Sequence, residues 1–180
     1  MNRFLPDAID LSGARPDDVQ PTNASPTARH TQVQVHPLMN TTIWQSSPDL
    51  DRANEMSAGC AIGQLGIEFT EFGADHLTAR MPVDSRTQQP LGVLHGGASV
   101  LLAETLVSWA VTFAAEPGKV CVGMEINANH LRPVTSGWVT GTARPIALGR
   151  RSQVWEVRIV NDTGKLACIS RCTLAVIERP

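Results

Sequence analysis

The chain has 180 residues, long enough for one domain with a sizeable core, and its 15 Lys+Arg against 17 Asp+Glu leave a net charge of −2. That balance argues against a nucleic acid or an anionic membrane as the main partner. Cys60, Cys121, Cys168 and Cys172 form no CxxC and no Cys/His ligand spacing, so free thiols in a reducing cytoplasm and no metal are expected.

Residues 1–42 carry Pro6, Pro16, Pro21, Pro26 and Pro37 in a polar stretch without an apolar period, and read as a disordered extension. RFLPDAIDL is no secretory signal, because proline and acids break its apolar run. Thr31 to His36 reads as a short strand, and Met39 is a candidate start of the product. The folded domain is expected over 43–180. Ser47 can cap a short helix, with Pro48 in its first turn, Asp49 at the positive end of the dipole and Gly59 as its stop. From Gly63 to Phe72, Leu65, Ile67 and Phe69 alternate with Gly66, Glu68 and Thr70. After a turn at Gly73 to Asp75, Leu77, Ala79, Met81 and Val83 alternate again, which together predicts a hairpin.

Leu94 to Ala115, LHGGASVLLAETLVSWAVTFAA, is the long helix of the chain. About 30 Å of apolar helix is enough to cross a bilayer. A carboxylate at its middle, Glu104, the pair Gly96-Gly97 and the lack of flanking basic clusters point instead to a buried core helix, apolar on every face and wrapped by a sheet. Glu116-Pro117-Gly118 stops it. Val120 to Ala128, Trp138 to Leu148, Ser152 to Val160 and Leu166 to Ile177 follow as strand-like runs, amounting to three or four strands. Strands segregated from helices in this way predict an α+β fold with an antiparallel sheet.

The run MPVDSRTQQPLGVLHGGASVLLAET, with VGMEINANHLRPV and LGRRSQVWEVRI, resembles the hotdog-fold acyl-CoA thioesterases of the phenylacetate/4-hydroxybenzoyl-CoA thioesterase branch. The resemblance spans about Thr42 to Ile177. It implies a long helix wrapped by a curled antiparallel sheet, a homodimer with shared active sites, and a dimer of dimers, hence a homotetramer. It places the catalytic carboxylate at Glu104, the thioester-polarising N–H at Gly96 with His95 and Gln89 beside it, and a hydroxyl at Ser108. CoA contacts fall on His130, Leu131 and Arg132 and on Gly149, Arg150, Arg151 and Ser152. No cofactor is implied beyond the CoA thioester substrate, an aryl acyl group is favoured over a long aliphatic one, and an acyl carrier protein is an alternative donor.

Elementary chemistry supports those roles. Attack on a thioester carbonyl gathers negative charge on oxygen, and the first amides of a helix, Gly96 and Gly97, lie unpaired at the positive end of the dipole. Glu104 can activate water or attack the carbonyl itself. Ser108, four residues on, shares its helix face and can orient the carboxylate or the water. Gly96 and Glu104 are eight residues apart, about 12 Å along the helix axis, so two antiparallel helices across a two-fold axis would best bring one chain's glycine to the other's carboxylate.

Plainer readings compete at each point. Glu104 could be a hydrogen-bonded structural residue, Gly149 to Arg151 a solvated turn, and Trp109 core filling rather than pocket lining. A hydratase or dehydratase acting on acyl thioesters, or a non-catalytic acyl-CoA-binding module, would share the fold.

Overall fold

The computed structural model describes residues 42–179. Apart from Thr42, the expected extension, the short strand of Thr31 to His36 and Met39 lie outside the described residues.

Helix α1 spans Leu50–Ser57. Asp49, not Ser47, caps it: its carboxylate accepts the Arg52 N–H at 3.0 Å, satisfying one of the donors the first turn leaves free. Helix α2 is a single turn, Ala61–Gln64, where a strand was expected from Gly63. The alternation there misleads because Leu65 caps this turn and Gly66 adopts a left-handed φ of 69°, so the extended chain begins only at β1, Glu68–Phe72. Strand β2, Leu77–Pro82, completes the expected hairpin with β1.

Helix α3 covers Gly96–Ala114. After it come β3, Lys119–His130, β4, Trp138–Leu148, β5, Ser152–Asn161, and β6, Leu166–Glu178. All four strand-like runs are thus separate strands of the sheet. Its order is β1-β2-β4-β5-β6-β3 with every pairing antiparallel, which confirms the α+β architecture.

The sheet wraps α3 on one side. Val139 and Ala143 from β4, Trp155, Val157 and Ile159 from β5, and Leu174 from β6 have no exposed surface and share the core with Leu102, Leu106, Val107 and Val111 of the helix. Each fully buried aliphatic side chain contributes about 1.5–3 kcal/mol relative to exposure. Although α3 is long and apolar enough to cross a bilayer, it is the core helix of this sheet.

The expectation that α3 is buried all round needs correction. Gly97, Glu104 and Thr112 are exposed and Leu101 and Ser108 half-buried, because one sheet covers only one side of a helix. Strand β3 lies at the sheet edge with β6 as its one neighbour, and exposes Val122 and Met124.

Candidate active site

The segment between β2 and α3 is held by its own polar groups. Buried Thr87 donates its hydroxyl to Pro82 O at 2.7 Å, and Thr87 O accepts the His95 N–H at 2.8 Å. Leu94 N–H donates to Val134 O at 2.8 Å, tying the segment to the loop before β4. These bonds deliver His95 in an extended conformation to the N-cap position of α3.

His95 Nδ1 accepts the Gly97 N–H at 2.8 Å, which places the ring proton on Nε2. Its carbonyl accepts from Ala98 at 3.0 Å and Ser99 at 3.2 Å. The expectation of two free glycine donors is therefore revised. Gly97 is used by the cap, and the Gly96 N–H is left with no acceptor among the described residues.

The His130 ring lies directly against Gly96: a methyl group on Gly96 would sit 2.8 Å from Nε2. His130 thus stands at the start of α3 beside His95. Leu131 and Arg132 follow it on the surface, both donating their N–H to Ala167 O, at 2.8 and 3.2 Å. Gln89 is half-buried in a tight loop where Gln89 N–H donates to Val93 O and Gly92 N–H to Gln89 O, each at 2.9 Å.

Glu104 stands two turns along α3 on the exposed side. Its Oε1 lies over Gly123 of β3, 2.8 Å from where a side-chain carbon would be, and its carboxylate accepts no hydrogen bond from the described residues. Ser108 lies one turn further. Together with Trp109, Thr112 and Phe113 it lines a groove of about 530 Å³ closed on the other side by Arg52 and Met56 of α1. Trp109 contributes both to the core and to this groove. It stacks on Phe113 at 5.9 Å, meets the buried Phe69 ring edge-on at 5.5 Å, and presents its remaining face to the groove.

Burial pushes the Cys172 thiol up to about 11, helped by the charges of Glu104 and Glu125, and burial alone takes Cys121 to about 11. Neither is a thiolate near neutral pH, so neither thiol offers a nucleophile there. All four cysteines are free.

Gly149 to Ser152 form the tight turn between β4 and β5, closed by Gly149 N–H to Ser152 O at 3.1 Å. Gly149 and Arg150 border a small cavity of about 160 Å³ with Ala115, Glu116 and Lys119, just past the C-terminal end of α3. His130 to Arg132 lie at the opposite end of a helix about 28 Å long. Within one chain, the structure does not bring these two groups of candidate CoA contacts together.

Two features escaped the sequence reading. Gly123 beneath Glu104 is signalled only by a glycine inside a strand, and the α1 side of the groove by nothing local.

Residues 91–168 match the model of the thioesterase superfamily. The chain is 47% identical over 135 residues to the 1,4-dihydroxy-2-naphthoyl-CoA hydrolase of Escherichia coli, covering 75% of this chain and 99% of that protein. It is also 47% identical over 135 residues to a proofreading thioesterase of Cronobacter turicensis, covering 75% and 98%. A solved thioesterase of Haemophilus influenzae is similar to it with a TM-score of 0.75 at 52% identity, over 76% of this chain and 96% of that one.

Proposed function

The chain belongs to the thioesterase superfamily and is a thioester hydrolase of the hotdog fold, and on that premise we propose that it hydrolyses aryl acyl-CoA thioesters with Glu104 and the Gly96 N–H as its reacting groups. The observation that carries this reading is that α3 holds both a carboxylate and a helix N-terminal amide that have no hydrogen-bond partner among the described residues.

The Gly96 N–H, at the positive end of α3, donates to the carbonyl oxygen as negative charge develops on it. Glu104 either takes a proton from the attacking water or attacks the carbonyl carbon itself to give a mixed anhydride that water then opens. In both routes the C–S bond breaks and CoA leaves as its thiol. Single turnover in ¹⁸O-water identifies the anhydride route when water opens the anhydride at the Glu104 carboxyl carbon, since label then enters the Glu104 carboxylate instead of the product acid. His95 fixes the N-terminal turn, while His130, Gln89 and Ser108 hold the thioester and the water.

The site is shared between two chains. Eight residues of helix, about 12 Å, separate Gly96 from Glu104, and an antiparallel partner helix closes that gap. The exposed edge strand β3, with Val122 and Met124, continues the sheet into the partner. The same two-fold brings Gly149 to Ser152 of one chain toward His130 to Arg132 of the other, giving CoA a basic path across the interface. Two such homodimers make the tetramer. With free thiols and a CoA substrate, the cytoplasm is the place of action.

The acyl group enters the groove that begins at Ser108, one turn beyond Glu104, where Trp109, Phe113 and Met56 offer flat apolar surface suited to an aryl ring. The name of the Escherichia coli relative, which specifies a dihydroxynaphthoyl thioester, agrees with that shape.

Thiol release from benzoyl-, hydroxybenzoyl-, phenylacetyl-, dihydroxynaphthoyl- and straight-chain acyl-CoAs, and from the matching carrier-protein thioesters, tests the substrate class. Aryl-CoA turnover that exceeds the straight-chain rates supports it; the reverse order overturns it. Mixing Glu104→Ala with Gly96→Pro subunits tests the shared site. Heterodimers should regain activity that neither parent has, and a mixture as inactive as its parents contradicts the shared arrangement.

A further inference from the structure

We propose that Gly123 is a positioning residue for Glu104, its missing side chain forming the seat in which the carboxylate rests; this builds on the reading of Glu104 as the reacting carboxylate. A methyl group at Gly123 would lie 2.8 Å from Glu104 Oε1, about 0.6 Å short of the 3.4 Å at which ordinary contact begins. Its other neighbour within 4 Å is Glu104 Cδ, at 3.9 Å. Unlike the turn glycines, Gly123 does not have a positive φ, so any residue can adopt its backbone conformation. Neither packing nor backbone geometry requires glycine here, and the carboxylate is what the absent side chain makes room for.

The strand is built to put this position under the helix. β3 pairs with β6 without a break on either side of one irregularity: Gly123 lies opposite Leu174 and Glu125 opposite Thr173, leaving Met124 as an extra residue. On the C-terminal side of this bulge, Ile126 and Ala128 pack against the core and His130 reaches α3 at Gly96. Strict alternation from those residues would turn position 123 to the outer face. The added Met124 reverses the parity, so Gly123 joins Ile126 on the helix-facing side, directly below Glu104. Bulges beside active sites re-aim side chains in this manner, and here the bulge aims a vacancy.

Ala at position 123 displaces the far end of a flexible side chain and nothing else. The structural cost is therefore small and the catalytic cost large, which separates this glycine from one needed for packing. In Gly123→Ala, kcat should fall about 100-fold, the order expected for an ångström-scale misplacement of a reacting group. KM and the melting temperature should remain near wild type. Shortening the carboxylate should cancel the effect, because aspartate at 104 is withdrawn from the new methyl by one methylene. Thus Glu104→Asp and Glu104→Asp/Gly123→Ala should share one single-turnover rate, a fully coupled double-mutant cycle.

Wild-type kcat in Gly123→Ala, additive losses in the cycle, or a marked drop in melting temperature would each overturn the proposal. Glu104→Ala, assayed alongside, isolates the premise. If it retains full activity, the role given to Glu104 fails; if it is inactive while Gly123→Ala is normal, only the role of Gly123 fails.

Discussion

Two glycines face the same helix from the same sheet and meet opposite surroundings. A methyl at Gly141 of β4 would lie 2.7 Å from Leu106 Cδ1, on the side of α3 where Leu102, Leu106, Val107, Ala110 and Val111 are all at 0% exposure. A methyl at Gly123 of β3 would meet only the Glu104 carboxylate, on the side where Gly97, Glu104 and Thr112 are open. In the first place the helix approaches the sheet closely to exclude water. In the second, the same economy of atoms keeps space around the proposed reacting carboxylate. The fully buried flank of α3 carries stability and the open flank, where Glu104 meets the edge strand β3, carries the proposed chemistry, and each can be damaged alone.

The sharpest division comes from Glu104→Gln, which preserves shape and removes the proposed reacting carboxylate. It should lower kcat by roughly 100- to 10,000-fold, the span attributed to a positioned general base, while the thermal melt stays at the wild-type position. Leu106→Ala attacks the other side. It should cost about 2–5 kcal/mol in denaturant unfolding, as for other buried Leu truncations, with kcat per folded molecule unchanged. A Leu106→Ala protein that stayed stable, or that folded fully and was inactive, would break the separation of the two sides.

The smallest effect lies away from both sides of the helix. At the β1–β2 turn, hydrogen bonds from His76 and then Arg144 hold the Asp75 carboxyl below its ordinary 3.8. A depressed folded-state value means the stabilisation is present above the unfolded pKa and is lost as pH falls through the folded one. Asp75 is exposed, so water screens the pairing and its contribution stays below about 1 kcal/mol. Asp75→Asn should lower the melting temperature slightly at pH 7, the difference from wild type should close as the pH is taken below 3.8, and kcat should not change.

Much of this molecule was legible from local patterns. Alternation along Val120 to Ala128, Trp138 to Leu148 and the later runs marked β3 to β6, and the apolar stretch after Gly96 marked α3, because a strand or helix is recorded in its own periodicity. His95, Gly96 and Glu104 stood out as candidates on other grounds, a lone carboxylate in an apolar helix and a glycine start, within ten residues at and along one element. Short signals were weaker. Leu65, Ile67 and Phe69 imitated a strand where a helical turn and a left-handed glycine stand, and Asp49 took the cap expected of Ser47, since several residues in that turn could serve.

The sequence by itself determined that a long apolar helix bearing one carboxylate and a glycine start would be served by an antiparallel sheet. The tertiary structure decided which side of that helix stays open, because a helix apolar nearly all round has no moment to orient it. It also decided that His95 consumes the Gly97 donor and leaves Gly96, since a cap is defined by side-chain direction rather than residue type. Most of all it decided the meeting of Glu104 with Gly123, which depends on a one-residue bulge in a separate strand. Periodicity reports the face a residue shares with its own neighbours in the chain, and only the packing of strand against helix determines what lies across from it.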